Sequence, residues 1–140
     1  MRFWDASAVV PLLVEQPLSV RARHLLAEDP DPVVWWSTPV ECASAIARLR
    51  REGILPESVE REALATLDLL RSGWHEILPG DALRAQAMRV LRLHPLRTAD
   101  ALQLAAALEW AGTPESGTVV TFDERLAGAA AREGFAVVGS

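Results

Sequence analysis

Short, continuously apolar runs alternate along this chain with longer stretches in which apolar residues return at helical spacing. Arg2-Phe3-Trp4 reads as a buried strand passing into a helix over Ser7–Val14, which Pro17 closes. A helix over Ser19–Glu28 follows, with Val20, Leu25 and Leu26 as its stripe, and Asp29-Pro30-Asp31-Pro32 forms a turn. Val33-Val34-Trp35-Trp36 is a second strand, apolar throughout as expected when both faces are covered. Thr38-Pro39 opens a helix to about Glu52, and Pro56 opens another to about Ser72. Trp74–Leu78 is a weak strand, Asp81–Leu93 a helix, and Arg97–Trp110 an alanine- and leucine-rich helix. Thr118–Thr121, Glu124–Glu133 and Phe135–Val138 complete the pattern as strand, helix and strand. Such alternation predicts an α/β fold around a short, mostly parallel sheet, formed by one domain over residues 1–140. No repeat, low-complexity segment or long linker interrupts it.

Four acids stand out against this pattern: Asp5, Glu41, Asp100 and Asp123. Each sits at the start of a predicted helix, and Asp5 and Asp123 directly follow strand-like runs. In parallel sheets the functional crevice lies beyond the carboxyl ends of the strands, where such positions converge. Gathered carboxylates repel one another and resist desolvation, so a cluster of them calls for a cation. Oxygen ligands select hard ions such as Mg2+ or Mn2+, whose characteristic work is on phosphate esters. Each acid also has a plainer explanation as a helix cap. Glu41 follows Thr38 by three residues and Glu124 follows Thr121 by three, both in capping-box spacing. Asp123 favours the helix dipole, Asp100 lies two residues after the predicted N-cap Thr98, and Asp5 can cap the helix after it. Capping does not explain why Asp100 opens a helix that otherwise reads Ala101-Leu102-Gln103-Leu104-Ala105-Ala106-Ala107-Leu108, a composition suited to burial.

Composition narrows the function. A 140-residue chain can bury roughly 70% of its unfolded surface, and 50% apolar content excludes a disordered protein. That apolar share, with a mean hydropathy of +0.13, is high for a lone domain and points to a surface covered by a partner. No apolar run approaches bilayer length and nothing resembles a secretory signal, so no membrane and a cytoplasmic location are expected. A single cysteine, Cys42, excludes an internal disulfide, and its helical neighbours make it a small buried residue. All 14 cationic residues are arginine, which excludes any mechanism needing a catalytic lysine. The net charge of −5 is unfavourable for RNA unless metal neutralises some of the acids.

The segments around the four acids resemble those of the PIN-domain ribonucleases, most closely the VapC-type toxins of bacterial toxin–antitoxin operons. Asp5-Ala6-Ser7-Ala8, the helix-borne Glu41, Leu96-Arg97-Thr98-Ala99-Asp100-Ala101-Leu102-Gln103-Leu104-Ala105 and Val120-Thr121-Phe122-Asp123-Glu124-Arg125-Leu126 carry the resemblance, in order and over essentially the whole chain. It implies an α/β/α sandwich and Mg2+ or Mn2+ held by Asp5, Asp100 and Asp123, with Glu41 completing the cluster. Ser7 and Thr121 match small hydroxyl positions that support the site, and Asp123 rather than Glu124 aligns with the family's fourth acid. It further implies hydrolysis of RNA and silencing by a small antitoxin. Whether one ion or two act is open at this point.

A phosphatase or phosphoacceptor domain of the aspartate-dependent kind is the competing enzyme class. The phosphatase pattern wants a second aspartate where Ser7 stands, and both kinds rely on a lysine that this chain lacks. A binding module that kept the fold and lost the chemistry predicts eroded acids, yet all four positions are filled. His24, His75 and His94 are scattered without metal spacing and read as structural or surface residues. Trp35 and Trp36 read as core, although a tryptophan beside the site can stack on a base. Arg48, Arg50 and Arg51 read as a solvated face, and Arg97, three residues before Asp100, is a candidate phosphate contact. Leu55, Val59, Leu64, Leu67, Leu69 and Leu70 spread around more than one helical stripe, which predicts a homodimer.

Overall fold

The computed structural model describes residues 1–140 and contains five strands and seven α-helices. In chain order these are β1 (Phe3–Trp4), α1 (Ala6–Leu13), α2 (Ser19–Glu28), β2 (Val33–Trp35), α3 (Thr38–Arg51) and α4 (Glu57–Arg71). Then come β3 (His75–Ile77), α5 (Asp81–Leu93), α6 (Thr98–Ala111), a short 3-10 turn, β4 (Thr118–Thr121), α7 (Glu124–Glu133) and β5 (Ala136–Gly139). Every predicted element is present, with boundaries unchanged or moved by one residue.

The sheet order is β3-β2-β1-β4-β5, and every pairing is parallel. Strand alternation divides the interior in two. Phe3, Val33, Trp35 and Val119 face a core built with α5, α6 and α7. Trp4, Val34 and Val120 face the opposite core, built with α1 to α4. The result is the three-layer α/β/α sandwich expected from the sequence. Parallel register places Phe3 beside Val33 and Val119, and Trp4 beside Val120, so β1 sits at the centre with its carboxyl end opening at Asp5.

Three local readings change. Trp36 lies beyond β2 and is 51% exposed, whereas Trp35 is buried as expected. The strand stops at Trp35 because β3 runs out beside it: Trp35 pairs with Ile77, and the Trp36 amide donates to the Ile77 carbonyl. Asp29, read only as part of a turn, is buried, and its Oδ2 accepts from the Trp4 indole and the Arg2 amide. The predicted N-caps also shift, to Ser37 for α3 and Arg97 for α6. Gly139 ends β5 with φ 104°, where an added Cβ would stand 2.6 Å from the Thr121 carbonyl. Only glycine lets β5 close on the end of β4 in this way.

Candidate active site

Asp5 leaves the central strand and is almost fully buried. It occupies the N-cap position of α1 but makes no capping bond. Its Oδ2 instead accepts from the Ser7 and Thr121 hydroxyls, which correct the reading of Asp5 as a helix cap. Ser7 is tied in turn by the Phe122 amide (2.9 Å), and Thr121 Oγ1 accepts from the Asp123 amide (3.0 Å). Ser7 and Thr121 therefore join the ends of β1 and β4 into one polar knot around Asp5.

Asp123 caps α7, its Oδ1 accepting from the Leu126 amide at 3.0 Å. The predicted Thr121–Glu124 box does not form, because the Thr121 hydroxyl is turned to Asp5. Glu41 stands in the first turn of α3, and its Oε2 accepts from Gln103 Nε2 (2.9 Å) and the Ser37 hydroxyl (3.3 Å). The Thr38–Glu41 box is also absent: Thr38 is fully buried, and its hydroxyl accepts from the same Gln103 amide at 3.1 Å. Asp100 arrives by a different route from Asp5 and Asp123. No strand precedes α6, which packs against β2 and β3 and presents its first turn at the sheet's carboxyl edge. Asp100 Oδ2 accepts from the Arg97 amide at 3.3 Å.

All four acids line a single open cleft of about 750 Å³, together with Ser7, Glu124 and three arginines, Arg48, Arg97 and Arg125. Burial, followed by repulsion from Asp123, raises the Asp5 pKa above the ordinary carboxylate range despite its two hydroxyl donors. Burial and the charges of Asp5 and Asp100 push Glu41 up to about 7, against the stabilising donors Gln103 and Ser37. Asp100 is raised by burial and by Asp123, opposed by the Arg97 amide and by the charges of Arg125 and Arg97. The cluster is thus short of positive charge on the carboxylates themselves. Cys42, one residue beyond Glu41, is pushed up to about 12 by burial and by Glu41 and Asp5, so it is an inert thiol at neutral pH.

The donor chemistry suits a hard divalent cation. In each carboxylate the hydrogen bonds fall on one oxygen, leaving the other for a ligand, and every donor is oxygen. The spacing is that of a lined cleft rather than a closed cage: no group of three or more His, Cys, Asp or Glu side chains is drawn together tightly enough to hold an ion. Arg48 and Gln103 did not emerge from the sequence as site residues. Arg48 follows Glu41 by seven residues, two helical turns along the same face, and that spacing was the available signal. Gln103 stood in the open as the lone polar residue of a buried helical run.

The sequence model of the PIN domain family matches residues 2–132. The chain belongs to the PIN domain family. Among solved structures, it resembles VapC20 of Mycobacterium tuberculosis, described as a sarcin-ricin-loop-cleaving toxin, at TM-score 0.70 and 20% identity over 92% of this chain and 95% of that one. FitAcB of Neisseria gonorrhoeae matches at TM-score 0.68 and 20% identity, covering 99% and 97% of the two chains. VapBC2 of Rickettsia felis, bound to a promoter DNA fragment, matches at TM-score 0.64 and 14% identity over 97% and 96%. At these identities the likeness is one of fold. No curated protein sequence matches significantly. No helix is long and apolar enough to cross a membrane.

Proposed function

We propose that this PIN domain is a divalent-metal-dependent endoribonuclease that hydrolyses RNA phosphodiester bonds through Asp5, Glu41, Asp100 and Asp123. The observation that carries the reading is convergence: four acids from four separate elements line one cleft at the carboxyl edge of the sheet. When bound there, Mg2+ or Mn2+ supplies water acidic enough to attack phosphorus and screens charge growing on the phosphoryl oxygens. The chain's own residues do the positioning. Ser7 and Thr121 fix Asp5, while Gln103 and Ser37 fix Glu41. Arg97 offers a guanidinium to the phosphate on the Asp100 side of the cleft, and Arg48 and Arg125 add two more on its lining. The phosphotransfer alternative is disfavoured by Ser7 in place of a second aspartate and by the absence of lysine.

The biological role we infer is that of a cytoplasmic toxin held silent by a small antitoxin, since the matched folds include a toxin–antitoxin complex of Klebsiella pneumoniae and the toxin VapC20. An arginine or lysine from such a partner can pair with the cleft carboxylates in place of metal. The exposed apolar side chains of Ile54, in the loop before α4, and Leu69, near the end of α4, offer a surface suited to a homodimer. The deciding experiment incubates purified protein with RNA. Cleavage in Mg2+ or Mn2+, none in excess EDTA, and none by Asp100→Asn are expected. Equal cleavage in EDTA would remove the proposed chemistry.

A further inference from the structure

A second recess, of about 610 Å³, is walled by Trp35, Trp36, Ser37, Pro79, Arg84 and Leu102. The two depressions adjoin through named residues. Ser37 lines the recess and donates to Glu41 of the cleft, and Leu102 lies two residues beyond Asp100 on α6. Its size falls within the usual range for small-ligand sites.

The recess presents a flat aromatic face held in a fixed position. Trp36 is half exposed although its backbone is pinned to Ile77, so its ring is presented to solvent from a fixed base. Trp35 holds it edge to face, with centroids 6.5 Å apart and planes at 68°. Trp35 is itself 95% buried, since 5% of it is exposed, and its indole N–H has no hydrogen-bond partner. That nitrogen is closed off from solvent inside the core, so Trp35 serves as the fixed platform that holds Trp36 rather than as a donor to the recess. Arg84, already paired with Asp81 at the rim, adds a cation within reach of a sugar-phosphate backbone.

Resting on the nuclease reading above, we propose that this recess is a base-binding subsite for one unstacked nucleotide of single-stranded RNA adjoining the scissile phosphate. Trp36 supplies the stacking face, Trp35 holds it from behind, and Pro79 and Leu102 form apolar walls. Stacking tolerates any base, so the subsite adds affinity for an unstacked nucleotide without strong sequence preference.

The test is fluorescence anisotropy of an end-labelled single-stranded RNA on Asp100→Asn protein in Mg2+, comparing Trp36 with Trp36→Ala and Trp36→Phe. Trp36→Ala should weaken binding about tenfold or more, and Trp36→Phe should stay within about threefold. An abasic nucleotide at one position of the RNA should weaken binding to the Trp36 protein and cost nothing further in Trp36→Ala. Unchanged binding by Trp36→Ala, or loss spread evenly over all abasic positions, overturns the subsite. Loss of a dimer in Trp36→Ala, seen by light scattering with RNA binding intact, assigns the face to a second copy instead and also overturns it. Cleavage by the otherwise unaltered protein is followed in parallel, so failure of the nuclease reading shows there, while Trp36 dependence alone decides the subsite.

Discussion

Replacing Glu41 by glutamine tests the electrostatics of the cleft without touching its shape. The amide oxygen can still accept from Gln103 and Ser37, so packing and hydrogen bonding persist. Glu41 is raised from an ordinary 4.5 to about 7, by burial first and then by Asp5 and Asp100. The folded protein therefore holds a proton that the unfolded chain releases near pH 4.5, and metal-free stability falls as pH rises toward 7. At about 1.4 kcal/mol per pH unit the displacement corresponds to roughly 3 kcal/mol. Glu41 is only partly buried, and solvent screening reduces this to about 1–2 kcal/mol. For a domain of this size that is a rise of about 3–8 °C in Tm for Glu41→Gln at pH 8 in EDTA, with the two proteins converging at pH 5 and below. Thermal unfolding by circular dichroism across that range measures it. A variant no more stable than the parent at pH 8, or an advantage independent of pH, would refute the reasoning.

Two further outcomes follow from the hydrogen bonds that hold buried carboxylates. Gln103→Leu removes the donor shared by Glu41 and Thr38, so cleavage should fall roughly 10- to 100-fold, and its pH profile should shift upward because that donor lowers the Glu41 pKa. An unmoved profile would show that Gln103 only packs. At the far end of α7, burial raises Glu133, but the hydrogen bonds and charges of Arg89 and His94 outweigh it, leaving its pKa below the ordinary 4.5. Its stabilisation is complete above that value and is lost as pH falls through the lower folded one, so Glu133→Gln should unfold at lower urea at pH 7, with the gap closing in acid. A gap that persists in acid would contradict the pairing.

What could be read in advance was whatever rests on local pattern. The apolar runs at Phe3-Trp4, Val33–Trp35 and Thr118–Thr121 are short and covered on both faces, which marks buried parallel strands independently of their partners. Asp5 and Asp123 were legible because they terminate such runs. Side-chain partners were not, because they come from distant segments. Thr38 looked like a cap until Gln103, 65 residues away, took its hydroxyl. Thr121 looked like the start of a capping box until Asp5, 116 residues away, claimed it. Trp36 was read as strand since an apolar run does not reveal where the neighbouring strand ends. Asp29 sat in a proline-rich turn with every mark of a surface residue, and only the fold brings the Trp4 indole to it.

Direct calorimetric titration with Mn2+ tests the central claim, that these four acids form a metal centre. The unaltered protein should show saturable binding that Asp5→Asn and Asp100→Asn each abolish or strongly weaken. In EDTA both variants should melt at or above the parent, since each removes repulsion while keeping an acceptor for its neighbours. Absence of binding by the unaltered protein, or undiminished binding by both variants, would contradict the account.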